Sequence, residues 1–477
     1  MTHKTYQIEF HDYQDARRAF WDGVGRRHPR SWGGYYHTRL KDVFRHVIPE
    51  GMKVLEIGCG CGDLLAALKP ATGVGVDLAS SMVAKARERH PHLSFHVADV
   101  HELDLGGLQF DFIVLSDVIN DLWDLQCSLI KIRSCCTPAT RLIFNFFSHL
   151  WQAPLSLAQL LGVATPTLPQ NWLTHHDLEN LLELSGFEPL RNWEEVVAPL
   201  TVPVLSHFAN RFLSKLTPFR WLAMTNFLVA RPTAAATSGP TVSVVVAARN
   251  EEGHIDELMV RIPEMGGGTE IIFVEGNSTD DTWGAIERAI AANPHRKCKL
   301  LKQPGKGKGD AVRTGFNAAT GDILMILDAD ITVPPEDLSR FYDVLAAGHG
   351  EFANGVRLVY PMQDDAMRFA NLVGNKFFSW AFSWLLGQPI RDTLCGTKVM
   401  WAKDYQRLKV NRAYFGDFDP FGDFDLLFGA AKLNLKIMEV PIRYRARRYG
   451  ETNIQRWRHG LILLRMVIFA ARRIKFV

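Results

Sequence analysis

Twice along this chain an apolar, β-branched run passes through a turn of small or polar residues straight into a helical pattern. The two stretches are "KVLEIGCGCGDLLAALKP" at 53–70 and "TVSVVVAARNEEGHIDELMVRI" at 241–262. A buried strand that feeds a helix is the opening of a parallel crossover unit, so each stretch commits its surroundings to an α/β sheet. Between them "ARPTAAATSGPT" (230–241) replaces any apolar period with Pro, Gly, Ser, Thr and short Ala. That composition predicts an exposed linker. The expected division is a domain over residues 1–232, a linker over 233–240 and a second domain over 241–477. A length of 477 residues suits two or three domains of about 150 residues each. No repeat makes one half a copy of the other.

A formal net charge of only +3 gives no strong electrostatic message, and no nucleic-acid partner is expected. The opening "MTHKTYQIEFHDYQDARRAF" mixes both charge signs through any window that could hold an apolar signal core. No secretory leader is expected. No run of about 18 uncharged apolar residues appears, so no bilayer-spanning helix is expected and the location reads as cytoplasmic. Seven cysteines, with Cys135 and Cys136 adjacent, read as reduced thiols. Cys59 and Cys61 lack a second ligand pair at zinc spacing and read as loop packing.

In the first half, Val54 to Ile57 read as a buried strand, followed by Gly58, Gly60 and Gly62 before a helix near Asp63. Glycines at alternate positions allow a tight turn and let a ligand approach the backbone without meeting a Cβ. Three further strand patterns end on Asp77, on Asp99 and on Ser116 with Asp117. Successive strands that deliver polar residues at their carboxyl ends are how an open α/β sheet builds its ligand edge. The spacing G-x-G-x-G after Glu56, with Asp77 following 21 residues later, resembles the class I S-adenosylmethionine-dependent methyltransferases over roughly residues 35–195. The resemblance implies a Rossmann-like fold and S-adenosylmethionine as cofactor. It implies that Glu56 and the loop of Gly58, Gly60 and Gly62 hold the methionine part. Asp77 would hold the ribose, Asp99 would lie beside the adenine, and Ser116 would line the same edge. No acceptor-side base is evident, and His37, His149, His175 and His176 read as ordinary histidines.

In the second half, "VSVVVAARNEE" runs into Arg249, Asn250 and Glu251, and "EIIFVEGNSTDDTWGAI" into Glu275, Gly276, Asn277 and Ser278. "QPGKGKGDAVRTGF" then offers an open backbone with Lys306 and Lys308, a pattern suited to phosphate. "DILMILDAD" ends an apolar run on Asp328 and Asp330, one residue apart, where two carboxylates can converge on one cation. A turn-starting aspartate is the plainer reading of either residue alone. In this order the strand-end acids, the lysine-glycine loop and the D-x-D pair resemble family 2 glycosyltransferases of the GT-A fold over nearly all of residues 241–450. The resemblance implies a nucleotide-sugar donor bound by Ala248, Glu251, Glu275, Ser278, Lys308 and Asp328. It implies Mg2+ or Mn2+ held by Asp328 and Asp330. The family's usual Asp-Asp-Gly-Ser turn is here Glu275-Gly276-Asn277-Ser278, which leaves the nucleotide base open.

"GQPIRDTLCGTKVMWAKDY" is similar to the loop of dolichyl-phosphate glucosyl- and mannosyltransferases that brings an acid to the anomeric carbon, here Asp392. A sugar hydroxyl needs such a base because it must lose its proton as it attacks. A polyprenyl phosphate is already anionic and needs cations instead, for which Arg357, Arg391 and Lys398 are the candidates. Asp423 and Asp425 stand before a helix as caps or acceptor contacts. Two further stretches bear on a lipid acceptor, "FFSWAFSWLLG" (377–387) and the C-terminal "HGLILLRMVIFAARRIKFV". From Arg443 onward Glu451 is the only acid among ten Lys and Arg, which points to peripheral contact with a membrane. "IQRWRHG" has the wrong spacing for a processive synthase motif. The expected protein is therefore a two-activity transferase at the cytoplasmic face of a membrane. It joins inverting sugar transfer to a polyprenyl-phosphate-like lipid with methylation of a related glycan or lipid. A hydroxyl acceptor, or one domain acting only as a nucleotide-binding module, are the alternatives.

Overall fold

A computed structural model describes residues 3–26, 34–160, 167–199, 202, 204–357, 369–393, 395–410, 423–442 and 464–476. The chain divides into two compact units, Met1–Thr233 with Lys475–Val477, and Ala234–Ile474.

The first unit holds a seven-stranded sheet: β1 (Lys53–Ile57), β2 (Thr72–Asp77), β3 (Ser94–Val97), β4 (Phe110–Ser116), β5 (Cys136–Phe147), β6 (Phe187–Glu195) and β7 (Thr225–Pro232). Their order is β3-β2-β1-β4-β5-β7-β6, with β7 antiparallel to both neighbours. The apolar runs bury both faces, as the period of two along a strand requires. Val54, Phe112, Val114 and Ile143 face a cluster with Phe44, Leu65 and Val83. Leu55, Ile113, Leu115 and Leu142 face the opposite cluster with Leu129, Leu178 and Leu182. Helices therefore cover both sides. Chain order reverses at β1, which lies between β2 and β4, and this opens a crevice at the carboxyl ends of those strands.

The second unit repeats that logic with β8 (Val242–Ala248), β9 (Thr269–Glu275), β10 (Lys297–Lys302), β11 (Ile323–Asp328), β12 (Phe352–Val356), β13 (Lys398–Trp401) and β14 (Ile437–Pro441). The order is β10-β9-β8-β11-β13-β12-β14, and β13 runs antiparallel to β11 and β12. Val242, Val244, Val246 and Ala248 point to one face, packed with Leu258, Ile286 and Phe341. The reversal again falls between the first strand of the unit and its two neighbours, β9 and β11.

One expectation needs correction here. Ala230, Arg231 and Pro232 are not linker: they finish β7, and all three are buried. Arg231 is paired there with Glu188, and the exposed segment starts at Thr233. No helix among the described residues is long and apolar enough to cross a membrane. The helix Phe369–Leu386 buries Ala381, Phe382, Leu385 and Leu386 while Phe377 and Trp380 are exposed. The "IQRWRHG" stretch lies outside the described residues.

Candidate functional site

In the first unit, the loop after β1 runs through Gly58, Gly60 and Gly62, each at positive φ (72°, 51° and 76°). A Cβ at Gly58 would stand 2.7 Å from Val118, and one at Gly62 would stand 2.6 Å from Phe95, so neither position accepts a side chain. Gly60 has open space where a Cβ would be, as backbone offered to a ligand would. Asp77 closes this loop by accepting from the Gly60 N–H (2.8 Å) and the Ala79 N–H (2.9 Å). Burial raises its carboxyl, and those two N–H donors partly offset the effect. Glu56 is buried, accepting from the Leu65 N–H at 3.0 Å. Burial pushes its carboxyl up to about 8 despite that bond, with Asp77 and Asp63 adding to the rise. Asp99 is also partly buried, but its bonds to His101 Nδ1 (2.5 Å) and Gln14 Nε2 (2.6 Å) outweigh burial and hold it low.

Sequence reasoning missed one part of this edge and the partners of another. Helix His3–Arg26 reaches the loops after β3 and β4: Gln14 bonds Asp99, and Arg17 and Trp21 bond Asp121 at 2.8 and 2.9 Å. Asp22 accepts from the Ser81 N–H at 2.8 Å. The signal was the spacing of Phe10, Tyr13, Arg17 and Trp21 at three and four residues, one helical face. The second part is Asp117, which follows Ser116 at φ 53°, a region non-glycine residues seldom enter. Its Oδ1 accepts from Tyr36 Oη (2.8 Å) and Asn145 Nδ2 (2.6 Å). Burial pushes its carboxyl up to about 7, against those two hydrogen bonds. Tyr36 and Asn145 come from distant segments, so no local pattern announces them.

In the second unit, the loops after β8 and β9 are laced together. The Asn250 N–H donates to Ser278 Oγ (3.0 Å), the Thr279 N–H donates to Asn250 Oδ1 (2.8 Å), and Ala248 O accepts from the Gly276 N–H (2.9 Å). Glu275 is buried at the end of β9 and accepts from the Ser278 N–H at 2.5 Å. Glu251 is buried as well, its carboxylate 2.9 Å from His254 Nδ1. That contact ties Glu251 to the turn that precedes helix Ile255–Arg261. Lys308 opens helix Lys308–Ala318 and places Nζ 2.6 Å from Asp328 Oδ1 at the foot of β11. Asp330, two residues on, accepts from Thr332 Oγ1 at 2.7 Å. Both carboxylates are half-buried. The chain crosses this cluster at Gly396, where a Cβ would stand 2.0 Å from Asp328 Oδ2 and 2.3 Å from Lys308 Nζ.

Residues 30–192 match the family described as "Methyltransferase domain", and residues 243–412 match "Glycosyl transferase family 2". The chain joins a methyltransferase domain to a family 2 glycosyltransferase domain. Glycosyltransferase AglJ of Haloferax volcanii is 29% identical over 199 residues, covering 41% of this chain and 61% of that protein. Dolichol-phosphate mannosyltransferase of Pyrococcus furiosus is 32% identical over 224 residues, covering 45% of this chain and 59% of that protein. The match thus spans about three fifths of the length of these two relatives. An S-adenosylmethionine dependent methyltransferase from Mesorhizobium loti is 19% identical, with a TM-score of 0.32, covering 40% of this chain and 96% of that one.

The acceptor side of the glycosyltransferase domain departs from expectation. Asp392 and Arg357, read from the sequence as separate contacts, bind each other. Asp392 Oδ2 accepts from Arg357 Nε (2.7 Å) and from its backbone N–H (3.0 Å), and Oδ1 accepts from Nη2 (2.9 Å). Asp392 is wholly buried. Lys398 is buried in β13 with Nζ on the Cys395 carbonyl. Arg391 is exposed beside Glu439, 3.7 Å away. Asp423 opens helix Asp423–Lys432, and Asp425 is half-buried in its first turn.

Proposed function

We propose that the glycosyltransferase domain moves one sugar, with inversion, from a nucleotide-sugar to a polyprenyl-phosphate-like lipid at the cytoplasmic face of a membrane. The methyltransferase domain binds S-adenosylmethionine and methylates a related glycan or lipid. The observation that carries the acceptor class is the pairing of Asp392 with Arg357. The carboxylate that would deprotonate a hydroxyl is buried with both oxygens on a guanidinium. A phosphate arrives ionised and needs no base. The printed name of the Pyrococcus furiosus relative, a dolichol-phosphate mannosyltransferase, supports the same class.

Within the glycosyltransferase domain Glu275, Ser278 and Ala248 line the nucleotide end, and Lys308 neutralises negative charge beside Asp328. The donor set of Asp328 and Asp330, two half-buried carboxylates at one strand end, fits a hard divalent cation such as Mg2+ or Mn2+. When bound, that ion supplies charge compensation for the departing diphosphate. Arg391 offers an exposed cation for the acceptor. In the methyltransferase domain Asp77 and the Gly60 backbone present hydrogen-bonding groups to the cofactor, while helix His3–Arg26 excludes water from the Asp99 side. Asp117, held by Tyr36 and Asn145, stands at the same strand edge.

The test is a donor screen scoring transfer to short polyprenyl phosphate and to sugar hydroxyls, with Mn2+ and with excess chelator, beside calorimetry with S-adenosylmethionine. Transfer to the phosphate alone is expected, and Asp392→Asn should reduce it through stability rather than through a pH-dependent rate. Transfer to hydroxyls with a pH profile that Asp392→Asn abolishes would replace the phosphate reading.

A further inference from the structure

Between β6 and β7 the methyltransferase domain carries an insert made of helix Leu205–Arg211 and the 3₁₀ turns Leu213–Lys215 and Phe219–Leu222. Its inner residues Ser206, Ala209, Asn210, Ser214 and Lys215 are buried. Asn210 fixes the insert by bonding both Ala198 backbone groups, at 2.8 and 2.7 Å. Lys215 pairs with the buried Glu195. The fold is therefore satisfied on that side. The outer side is apolar: Val204, Leu205 and Trp221 are 84%, 61% and 59% exposed, and Phe208, Leu216, Phe219 and Leu222 are exposed beside them. Trp151 Nε1 donates to the Leu222 carbonyl at 3.0 Å, which joins the neighbouring helix Gln152–Leu160 to the same surface. That helix adds exposed Leu157 and Leu160, with Leu150 just before it. Scattered exposed apolar side chains are ordinary, but a gathered set of this size marks an interaction surface.

Charge identifies the occupant. From Val196 to Ala223 the chain contains no Asp or Glu, while it carries His207, Arg211, Lys215 and Arg220. Lys215 and Arg220 are paired with Glu195 and Glu194 on β6, and Arg211 has its Nε buried without a hydrogen-bond partner. Trp and Phe beside Arg, in a stretch without Asp or Glu, suit the boundary between headgroups and acyl chains of an anionic bilayer. Lys475 and Phe476, grouped with this unit, reach the same insert, the Phe476 ring lying 5.3 Å from Phe212.

We propose that the 202–222 insert is a membrane-docking surface of the methyltransferase domain, seated on anionic phospholipid through Val204, Leu205, Phe208, Phe219, Trp221 and Leu222. The domain would then meet its methyl acceptor at the lipid surface. This goes beyond the sugar-transfer reading and does not depend on it.

The experiment is flotation of the full chain with vesicles of phosphatidylcholine and phosphatidylglycerol, free of polyprenyl phosphate and nucleotide-sugar. The wild type should float, and Phe208→Glu with Trp221→Glu should reduce the floating fraction about tenfold or more, while S-adenosylmethionine binding and detergent-phase sugar transfer stay unchanged. Because the altered side chains are exposed, retained cofactor binding separates loss of docking from loss of fold. Equal flotation of the double variant would overturn the proposal. So would equal binding of the wild type to pure phosphatidylcholine. A concentration-dependent dimer without vesicles, dissolved by the same substitutions, would assign the surface to a second copy and likewise overturn it.

Discussion

Replacing Gly396 with Ala puts a methyl group in place of a hydrogen beside the Asp328 and Lys308 side chains. The new Cβ would stand 2.0 Å from Asp328 Oδ2 and 2.3 Å from Lys308 Nζ. Ordinary carbon–oxygen contacts begin at about 3.3 Å, so the carboxylate must retreat by on the order of 1 Å. Both obstructing atoms are ends of side chains, and turning them off their rotamers costs about 0.5–1.5 kcal/mol each. Stability should therefore fall little. Catalysis should fall more, because a misplacement of about 1 Å costs about 10²-fold. That loss corresponds to about 2.7 kcal/mol in the barrier. The assay is kcat/KM for transfer from nucleotide-sugar to short polyprenyl phosphate with Mn2+, alongside a thermal melt. A Gly396→Ala protein with the wild-type melting temperature and undiminished kcat/KM would refute the reasoning, since Asp328 and Lys308 would then have no part in turnover.

Three further outcomes are expected. Asp330→Asn keeps the side-chain shape and the Thr332 contact but removes a charge, so transfer should fall about 10²-fold with little change in melting. Full activity in excess chelator would instead leave the pair as a turn cap. Asp77→Ala should weaken S-adenosylmethionine binding by about 1.5–3 kcal/mol in calorimetry on the full chain, and unchanged affinity would remove Asp77 from the site. Glu56 has a folded carboxyl raised to about 8 from an ordinary 4.5, so the stability it contributes is complete below pH 4.5 and is lost as pH rises toward 8. Glu56→Gln should therefore melt progressively closer to, or above, the wild type between those values, and parallel melting profiles would contradict it.

The sequence showed the site where chemistry and chain order coincide. Asp77, Asp99, Glu275 and Asp328 lie at the carboxyl ends of strands, and an apolar run ending on an acid is visible without any partner. What stayed hidden depends on segments far apart in the chain. Asp392 and Arg357 are 35 residues apart and meet only because Asp392 lies beside the end of β12. Lys398 looks like an exposed cation until β13 is seen to run between β11 and β12, where the buried ammonium donates to the Cys395 carbonyl. Ala230-Arg231-Pro232 has the composition of a turn, yet it closes a strand, Ala230 paired with both β5 and β6 and the last two residues with β6. Pro232 sits at the strand's last position, where a missing N–H is tolerated.

The helix His3–Arg26 lies wholly ahead of residue 30, where the methyltransferase family match begins. A fragment trimmed to that boundary would keep every glycine of the β1 loop and every strand-end acid. It would lose Gln14, Arg17 and Trp21, together with Tyr13, whose hydroxyl donates to the Asp121 carbonyl, and so the side-chain fastenings this helix makes to Asp99 and Asp121. The region matched by the family thus leaves out a helix that ties the loops after β3 and β4 together.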